Sequence, residues 1–314
     1  MSITKSSKLK NHKITIIRRI VQIVSFIFIN YVILEIIFSI NLKTFEGFFK
    51  VLPILNSPRN PLSKGAGIIE FIFYFIAQGE FPYYLIAILL LVVLFTNRFF
   101  CGWICPIGTI QDGLSAIPTK KKTMKMNTHK ALLKFKYLII ILLLIIIVPL
   151  GVSKSLDPKF YAQYTRNLGP WAKKPVGFFS LSEYIFVFFP NLIEEMWEEA
   201  GLEPLFTDFW TFFLFFFYII VIVLAVYYPR AYCRYMCPFA AFATPICEYS
   251  FLKLSRSPVR CVGRSECGIC ERVCPKQIRI LDEPFEFFTG NGECNFCLKC
   301  KEACPYKAIE IKFG

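Results

Sequence analysis

A run of four cysteines near the C-terminus constrains this chain more than any other feature. The run is Cys294, Cys297, Cys300 and Cys304, with Pro305 directly after the last cysteine. A short loop with this spacing curls around a cubane and offers it three thiolates, while the proline turns the fourth cysteine toward a neighbouring cluster. The spacing therefore predicts a bacterial-type 4Fe-4S site, and it predicts a second cysteine run elsewhere in the chain.

The second run lies just upstream, and its last cysteine is also followed by proline. Its members are Cys261, Cys267, Cys270 and Cys274-Pro275, and the first gap holds five residues instead of the standard two. A ferredoxin crossover then predicts two ligand sets. These sets are Cys261, Cys267, Cys270 and Cys304 for one cluster, and Cys294, Cys297, Cys300 and Cys274 for the other. A four-cysteine zinc site and a disulfide framework are the alternatives, but zinc leaves the repeated Cys-Pro unexplained.

The rest of the chain is too apolar for an ordinary soluble protein. Of its 314 residues 55% are hydrophobic, and the mean hydropathy is +0.52. Four apolar stretches are long enough, or nearly so, to cross a hydrocarbon core as helices. They are Ile20–Ile40, Phe81–Asn97, Phe135–Gly151 and Leu205–Tyr228. Only two histidines occur, both in lysine-rich stretches outside these spans, which excludes a bis-histidine haem between membrane helices.

The net charge of +14 is a signal of membrane topology and does not indicate nucleic-acid binding, because the basic residues flank the apolar spans. A base-rich N-terminus and a base-rich loop at 106–134 predict that both lie in the cytoplasm. The C-terminal cysteines fall on the same side, where thiols stay reduced. We therefore expect a multi-pass protein of the cytoplasmic membrane. Two shorter apolar stretches, Gly67–Ala77 and Val176–Pro190, predict interfacial or re-entrant helices in the outer loops.

The second and fourth spans end in the same pattern, Arg-x-(Phe/Tyr)-Cys-x-x-x-Cys-Pro, starting at Arg98 and at Arg230. This duplication predicts a tandem two-span repeat with its axis along the membrane normal. The repeated cysteines are candidate ligands of a third metal or iron-sulfur centre, because thiolates select iron-sulfur, copper or zinc. They are Cys101, Cys105, Cys233 and Cys237. Inert buried cysteines are the alternative. We expect both arginines to anchor helix ends at lipid headgroups.

The predicted fold class is an α-helical membrane protein of four transmembrane helices with a C-terminal α+β ferredoxin-like domain that holds two 4Fe-4S clusters. The predicted divisions are a membrane domain at 1–238, a linker at 239–260 and a dicluster domain at 261–314.

Together these motifs resemble the NapH-type membrane polyferredoxins. Relatives of that family include the C-terminal part of the nitrous-oxide reductase regulator and the copper-reducing cytochrome-oxidase assembly protein. The resemblance covers nearly the whole chain, and the wide gap between Cys261 and Cys267 departs from it. It implies an electron-transfer subunit, such as a quinol dehydrogenase component, working between the quinone pool or cytoplasmic carriers and a partner oxidoreductase.

Three functions fit these observations. The leading hypothesis is electron transfer, with membrane lipid, a redox partner and quinone as partners, and without nucleic acid. A copper reductase or metalloenzyme maturation factor and a redox sensor are the alternatives. Lysines near the clusters favour an acidic carrier, although solvated surface lysines are the commoner explanation. They are Lys276, Lys299, Lys301 and Lys307. The sequence assigns no catalytic residue.

Overall fold

The computed structural model describes residues 12–39, 67–168, 172, 176–198, 201, 203–207 and 209–314. The chain divides into two compact units. The first unit comprises Met1–Ser25, Leu90–Cys105 and Ala243–Gly314, and the second comprises Phe26–Leu89 and Pro106–Phe242. The unit that holds the C-terminal cysteines therefore also includes the end of the second predicted span, with Cys101 and Cys105.

Most of the described chain is helical, because long apolar runs satisfy their backbone groups within the helix. The longer helices are Lys13–Ile29, Tyr31–Phe38, Ile68–Ala77, Tyr83–Thr96, Pro106–Leu114, Met126–Leu133, Phe135–Leu156, Pro158–Leu168, Phe189–Glu198, Phe209–Tyr227 and Pro238–Cys247. The shorter ones include Phe99–Trp103, Glu203–Thr207, Ala231–Tyr235, Gly263–Glu266, Ile269–Arg272 and Lys299–Ala303. A 3₁₀ turn at Gly177–Phe179, a short helix at Leu181–Glu183 and a π-helical turn at Tyr184–Phe188 precede Phe189–Glu198.

Helices occupy all four predicted spans. Within the described ranges, two stretches are long and apolar enough to cross a membrane, namely Met126–Leu156 with 31 residues and Phe209–Tyr227 with 19. The first predicted span is interrupted, because the amide of Asn30 donates to the carbonyl oxygen of Phe26 at 2.7 Å and the helix restarts at Tyr31. The two long apolar helices indicate a membrane protein, and the four-span topology stays a prediction.

The short apolar stretch Gly67–Ala77 forms a buried helix, Ile68–Ala77, in the second unit. It crosses Phe135–Leu156 at Gly151, where a Cβ atom would lie 2.0 Å from the carbonyl oxygen of Ile76. Glycine at 151 therefore lets the two backbones touch. Nearer the N-terminal end of Ile68–Ala77, Phe73 packs edge-on against Phe242 with ring centroids 6.1 Å apart.

The C-terminal region is built on a two-stranded antiparallel sheet of β1 (Leu252–Arg256) and β2 (Ile309–Phe313). The register pairs Leu252 with Phe313 and Arg256 with Ile309. The predicted linker at 239–260 instead contains most of helix Pro238–Cys247 and all of strand β1. The strand is needed because β2 alone would leave its backbone groups unpaired.

Cysteines form part of the core of the first unit. Its buried members are Leu254, Cys270, Ile280, Phe288, Cys294, Phe296, Leu298, Cys300 and Ile309. Ile14, Phe99 and Trp103 pack against this core from the N-terminal helix and from the end of the second predicted span. The core of the C-terminal region is thus completed by residues distant in sequence.

Candidate functional site

Four cysteines from the two runs line one cavity in the first unit. They are Cys261, Cys267, Cys270 and Cys304. About 360 Å³ of space there is free of protein atoms, part of it open to solvent. Burial raises the pKa of Cys270 to about 11, and the neighbouring Cys261 and Cys304 add to the shift. The structure thus brings Cys304 of the second run to three cysteines of the first.

The remaining cysteines of the two runs form a second group. Burial raises the pKa of Cys294 far above its usual range, and Cys297 and Cys274 raise it further. Burial likewise raises the pKa of Cys300, with Cys297, Cys294 and Cys274 contributing. Cys274 of the first run therefore lies among three cysteines of the second. Cys270 of the first group also contributes, more weakly, to the raised pKa of Cys300.

The same local turn positions the cysteines of both runs. Gly268 and Leu298 both adopt a left-handed backbone, with φ of 60° and 57°. Each of them caps a short helix, Ile269–Arg272 or Lys299–Ala303. The helix carries the third cysteine, and the fourth follows its end with proline behind it. Leu298 takes up a conformation that a branched side chain rarely adopts, as expected where a loop must curl tightly.

The donor set of these two groups suits iron-sulfur clusters. Both consist of cysteines alone, and thiolates are the ligands that hold cubanes. A thiol with its pKa near 11 is protonated at neutral pH, so ligation must release its proton. Within the described ranges, no three His, Cys, Asp or Glu side chains are placed to hold a single metal ion. A cubane instead distributes its thiolates over separate irons.

Cys101 lies on a short helix, Phe99–Trp103, which we call the first exit helix. This helix packs directly on the loop between Cys294 and Cys297. A Cβ atom on Gly102 would lie 2.1 Å from the carbonyl oxygen of Asn295 and 3.6 Å from the backbone nitrogen of Cys297. The indole Nε1 of Trp103 donates to the carbonyl oxygen of Phe296 at 2.8 Å. Glycine at 102 is therefore required for this approach.

The N-terminal helix also holds the first exit helix, since the side-chain amide of Gln22 donates to the carbonyl oxygen of Gly102 at 3.0 Å. After the helix, the backbone N–H of Cys105 donates to the carbonyl oxygen of Phe100 at 2.9 Å. Pro106 then opens the next helix, at a position where its missing N–H costs nothing.

The prediction that Arg98 anchors the helix end at lipid headgroups is wrong. Arg98 is 1% exposed, and its Nη1 donates to Glu293 at 3.0 Å, to the carbonyl oxygen of Gly292 at 3.1 Å and to Thr244 at 3.2 Å. Burial opposes the cation, but Glu293 and Cys101 outweigh it and raise the pKa of Arg98 above its ordinary value. Arg98 therefore lies between the first exit helix and the residue preceding Cys294.

The same prediction is wrong for Arg230, which precedes the second exit helix, Ala231–Tyr235. Arg230 is fully buried and pairs with Asp112 through two hydrogen bonds, 2.9 Å from Nε to Oδ1 and 2.8 Å from Nη2 to Oδ2. Its φ of 58° lies in the left-handed region, so the backbone turns sharply just before the helix begins. Both arginines stabilise their exits through buried ion pairs and not through lipid.

Gln111 holds Cys233 by two contacts in the second unit. Its amide Nε2 donates to Sγ of Cys233 at 2.8 Å, and its Oε1 accepts from the backbone N–H of Cys233 at 3.4 Å. Gln111 is fully buried on the helix Pro106–Leu114. Neither the role of Gln111 nor that of Asp112 is predicted from the sequence. One sequence feature marks Asp112, because it is an acid within the base-rich loop at 106–134. No sequence feature marks Gln111.

One of the four lysines expected to attract an acidic carrier cannot do so. Lys276 is 3% exposed, and its Nζ lies 3.6 Å from Glu293, which also pairs with Arg98. Lys307 is exposed, and Lys299 and Lys301 are half-buried. The buried Lys276 contributes charge to the interior of the unit, not to its surface.

A family model described as a 4Fe-4S binding domain matches residues 81–125 and 209–246. These two segments contain the exits with Cys101 and Cys105 and with Cys233 and Cys237. No solved structure matches the chain.

Several curated proteins are similar over most of the chain. An uncharacterized protein of Methanocaldococcus jannaschii is 26% identical over 263 residues, which are 79% of this chain and 85% of that protein. The putative electron transport protein YccM of Escherichia coli is 24% identical over 74% of this chain and 57% of YccM. The regulatory protein NosR of Pseudomonas aeruginosa is 25% identical over 68% of this chain and 25% of NosR.

The cysteine groups and the matched 4Fe-4S model define the chain as an iron-sulfur protein that is similar in sequence to a protein named for electron transport. The chain corresponds to about a quarter of the length of NosR and to little more than half of YccM.

Proposed function

We propose that the protein relays single electrons between the membrane and a partner oxidoreductase, with the quinone pool or a cytoplasmic carrier at one end of the relay. Iron-sulfur clusters suit this role because they exchange one electron with little rearrangement. The chain's own residues supply the remaining requirements. They hold the clusters close together and connect them to the apolar helices.

Two 4Fe-4S clusters with crossed ligands are the first part of the proposal. Cys261, Cys267, Cys270 and Cys304 would hold one cluster. Cys294, Cys297, Cys300 and Cys274 would hold the other. The shared cavity of the first set and the mutual electrostatic influence within the second set support this assignment. The influence of Cys270 on Cys300 supports a short path between the clusters.

The packing of the first exit helix on the Cys294–Cys297 loop is the observation that carries the proposal. Gly102 contacts Asn295 and Trp103 bonds Phe296, so the residue next to Cys101 touches the chain between two proposed ligands. Any electron that arrives at Cys101 would therefore reach the second cluster first. The predicted span Phe81–Asn97 ends just before this helix, which connects the relay to the bilayer.

Four membrane spans arranged as a tandem repeat are the second part of the proposal, with the N-terminus and the cluster domain in the cytoplasm. The two segments of the family match support it, since each contains one exit motif. The short helices of the outer loops also share a pattern. Glu70-Phe71-Ile72-Phe73 in the first corresponds to Glu183-Tyr184-Ile185-Phe186 in the second.

A third iron-sulfur centre at the exit cysteines is the last part. The candidate ligands are Cys101, Cys105, Cys233 and Cys237. The family model supports it, because its matched segments contain all four and its description is a 4Fe-4S binding domain. The hydrogen bond from Gln111 to Cys233 supports it as well, since ligating sulfurs accept such bonds and these bonds set the reduction potential.

Iron and sulfide analysis with EPR spectroscopy tests the proposal on the purified full chain and on the Cys101→Ser/Cys233→Ser variant. We expect the wild type to hold more iron than two cubanes account for, and the variant to lose the excess while it keeps both ferredoxin-type signals. A wild type without those two signals contradicts the relay. Identical iron content in both proteins contradicts a centre at the exit cysteines.

A regulatory role is a second candidate, favoured by the similarity to the protein named regulatory protein NosR. Steady turnover separates the two functions. An electron-transfer subunit passes electrons repeatedly from a reductant to an added acceptor, whereas a sensor is reduced once and holds its state.

A further inference from the structure

The guanidinium of Arg256 lies at the wall of the cavity formed by Cys261, Cys267, Cys270 and Cys304. Its Nη1 donates to Sγ of Cys261 at 3.8 Å, and the residue is 5% exposed. Among the described residues that line this cavity, Arg256 is the one charged side chain. The charge is permanent, because the guanidinium does not deprotonate in proteins.

Three further contacts fix the position of the guanidinium. Nη2 donates to the carbonyl oxygens of Glu283 at 3.0 Å and Leu281 at 3.4 Å, and the group lies 4.1 Å over the ring centroid of Phe285. The backbone of Arg256 is held as well, since its N–H donates to the carbonyl oxygen of Phe285 at 2.8 Å. The cation is therefore built into the wall and cannot swing into solvent.

The same segment places Cys261. Arg256 is the last residue of strand β1, and the backbone N–H of Cys261 donates to the carbonyl oxygen of Ser257 at 3.1 Å. This turn places Cys261 next to Arg256, which lies five positions earlier in the sequence. The unusual spacing before Cys267 therefore leaves the first cysteine anchored to the end of the sheet and next to a cation.

Reduction adds one negative charge to a cluster that its thiolates already make anionic. A fixed cation and an N–H donor at a ligating sulfur both stabilise the reduced state, and the low dielectric constant of a buried site strengthens the effect. We propose that Arg256 is a positioning residue that raises the reduction potential of the cluster held by Cys261, Cys267, Cys270 and Cys304. This inference rests on the proposed ligand assignment.

EPR-monitored redox titration of the full chain tests this role with three substitutions. Arg256→Met removes the charge and the donors, Arg256→Gln keeps donors without charge, and Arg256→Lys keeps the charge. Arg279→Met is the matched control, because Arg279 is exposed and pairs with Asp282. We expect Arg256→Met and Arg256→Gln to lower the midpoint potential of one cluster, Arg256→Lys to stay nearer the wild type, and Arg279→Met to change neither cluster.

Iron analysis of every variant separates tuning from loss of the cluster. If Arg256→Met loses iron, the comparison of Arg256→Gln with Arg256→Lys decides, and equal midpoint potentials in those two overturn the proposal. An unchanged potential in all three variants with full iron content also overturns it. If the separate variant Cys261→Ser keeps both clusters intact, the ligand assignment is refuted instead. That outcome identifies a failure of the proposed function.

Discussion

The indole Nε1 of Trp103 donates a hydrogen bond of 2.8 Å to the carbonyl oxygen of Phe296. It joins the helix that carries Cys101 to the loop between Cys294 and Cys297. The neighbouring Gly102 lies so near the carbonyl oxygen of Asn295 that its backbone leaves no room for a Cβ atom. The end of an apolar helix and a cysteine loop nearly two hundred positions away in sequence therefore form one structural element.

Alanine at position 102 tests this contact. The new Cβ would lie 2.1 Å from the carbonyl oxygen of Asn295, so the first exit helix must move off the loop. We expect Gly102→Ala to destabilise the protein by about 1–3 kcal/mol in thermal unfolding and to slow cluster reduction. Gly113→Ala is the matched control, since a Cβ there has nothing within 4 Å. Equal stability of Gly102→Ala and the control would show that the contact is not tight.

The crossover predicts which cluster each terminal cysteine serves. Cys304→Ser should damage the cluster held by Cys261, Cys267 and Cys270, because Cys304 lines their cavity. Cys274→Ser should damage the other cluster. EPR spectra of the two variants, with iron analysis, distinguish the signals. If each substitution instead removes the cluster of its own run, the crossed assignment is incorrect.

Substitutions of Gln111 distinguish a metal-ligating role of Cys233 from a purely structural one. Gln111→Glu keeps the acceptor for the backbone N–H of Cys233 but loses the donor to its Sγ, and Gln111→Ala loses both. If Cys233 ligates metal, we expect Gln111→Glu to retain the metal but shift its EPR signal or potential. Identical spectra in the wild type and Gln111→Glu, with an intact centre, would argue against any coupling between this amide and the centre.

The buried pair of Arg230 and Asp112 should be far more important for stability than an exposed one. Asp112→Asn leaves the guanidinium buried without its counter-charge, which costs about 3–5 kcal/mol. Glu310→Gln breaks the exposed pair with Arg260, whose side chains are 49% and 46% exposed, and exposed pairs contribute about 1 kcal/mol or less. Thermal unfolding of both variants measures the difference, and equal losses would mean that the buried pair is not structural.

The sequence predicts those features that depend on neighbouring residues. Cysteine spacing predicted the grouping of Cys304 with the first run, because a proline after a short helix redirects the chain locally. Hydropathy located helices such as Tyr83–Thr96 and Phe209–Tyr227, since apolar runs of this length form helices almost irrespective of their surroundings.

Contacts between distant residues could not be predicted in the same way. Arg98 and Glu293 are separated by 195 positions, and Arg230 and Asp112 by 118. A base at the end of an apolar span is typical of a headgroup anchor, and nothing in the local pattern shows that a carboxylate will be brought to it. Gln111 illustrates the same limit, because its role depends wholly on the packing of its helix against Cys233.

The rate at which a hydroquinone reduces the clusters tests the central claim most directly. Membranes that contain the full chain are mixed with a reduced menaquinone analogue, and cluster reduction is followed by EPR for the wild type, Cys101→Ser and Cys247→Ser. Cys247 is the control, because it is a buried cysteine outside both runs and both exit motifs. We expect Cys101→Ser to be reduced at least about tenfold more slowly, which corresponds to about 1.4 kcal/mol in the barrier. Dithionite should reduce all three proteins alike. Equal rates with the hydroquinone for Cys101→Ser and the wild type would contradict a relay that runs from the membrane through the first exit helix.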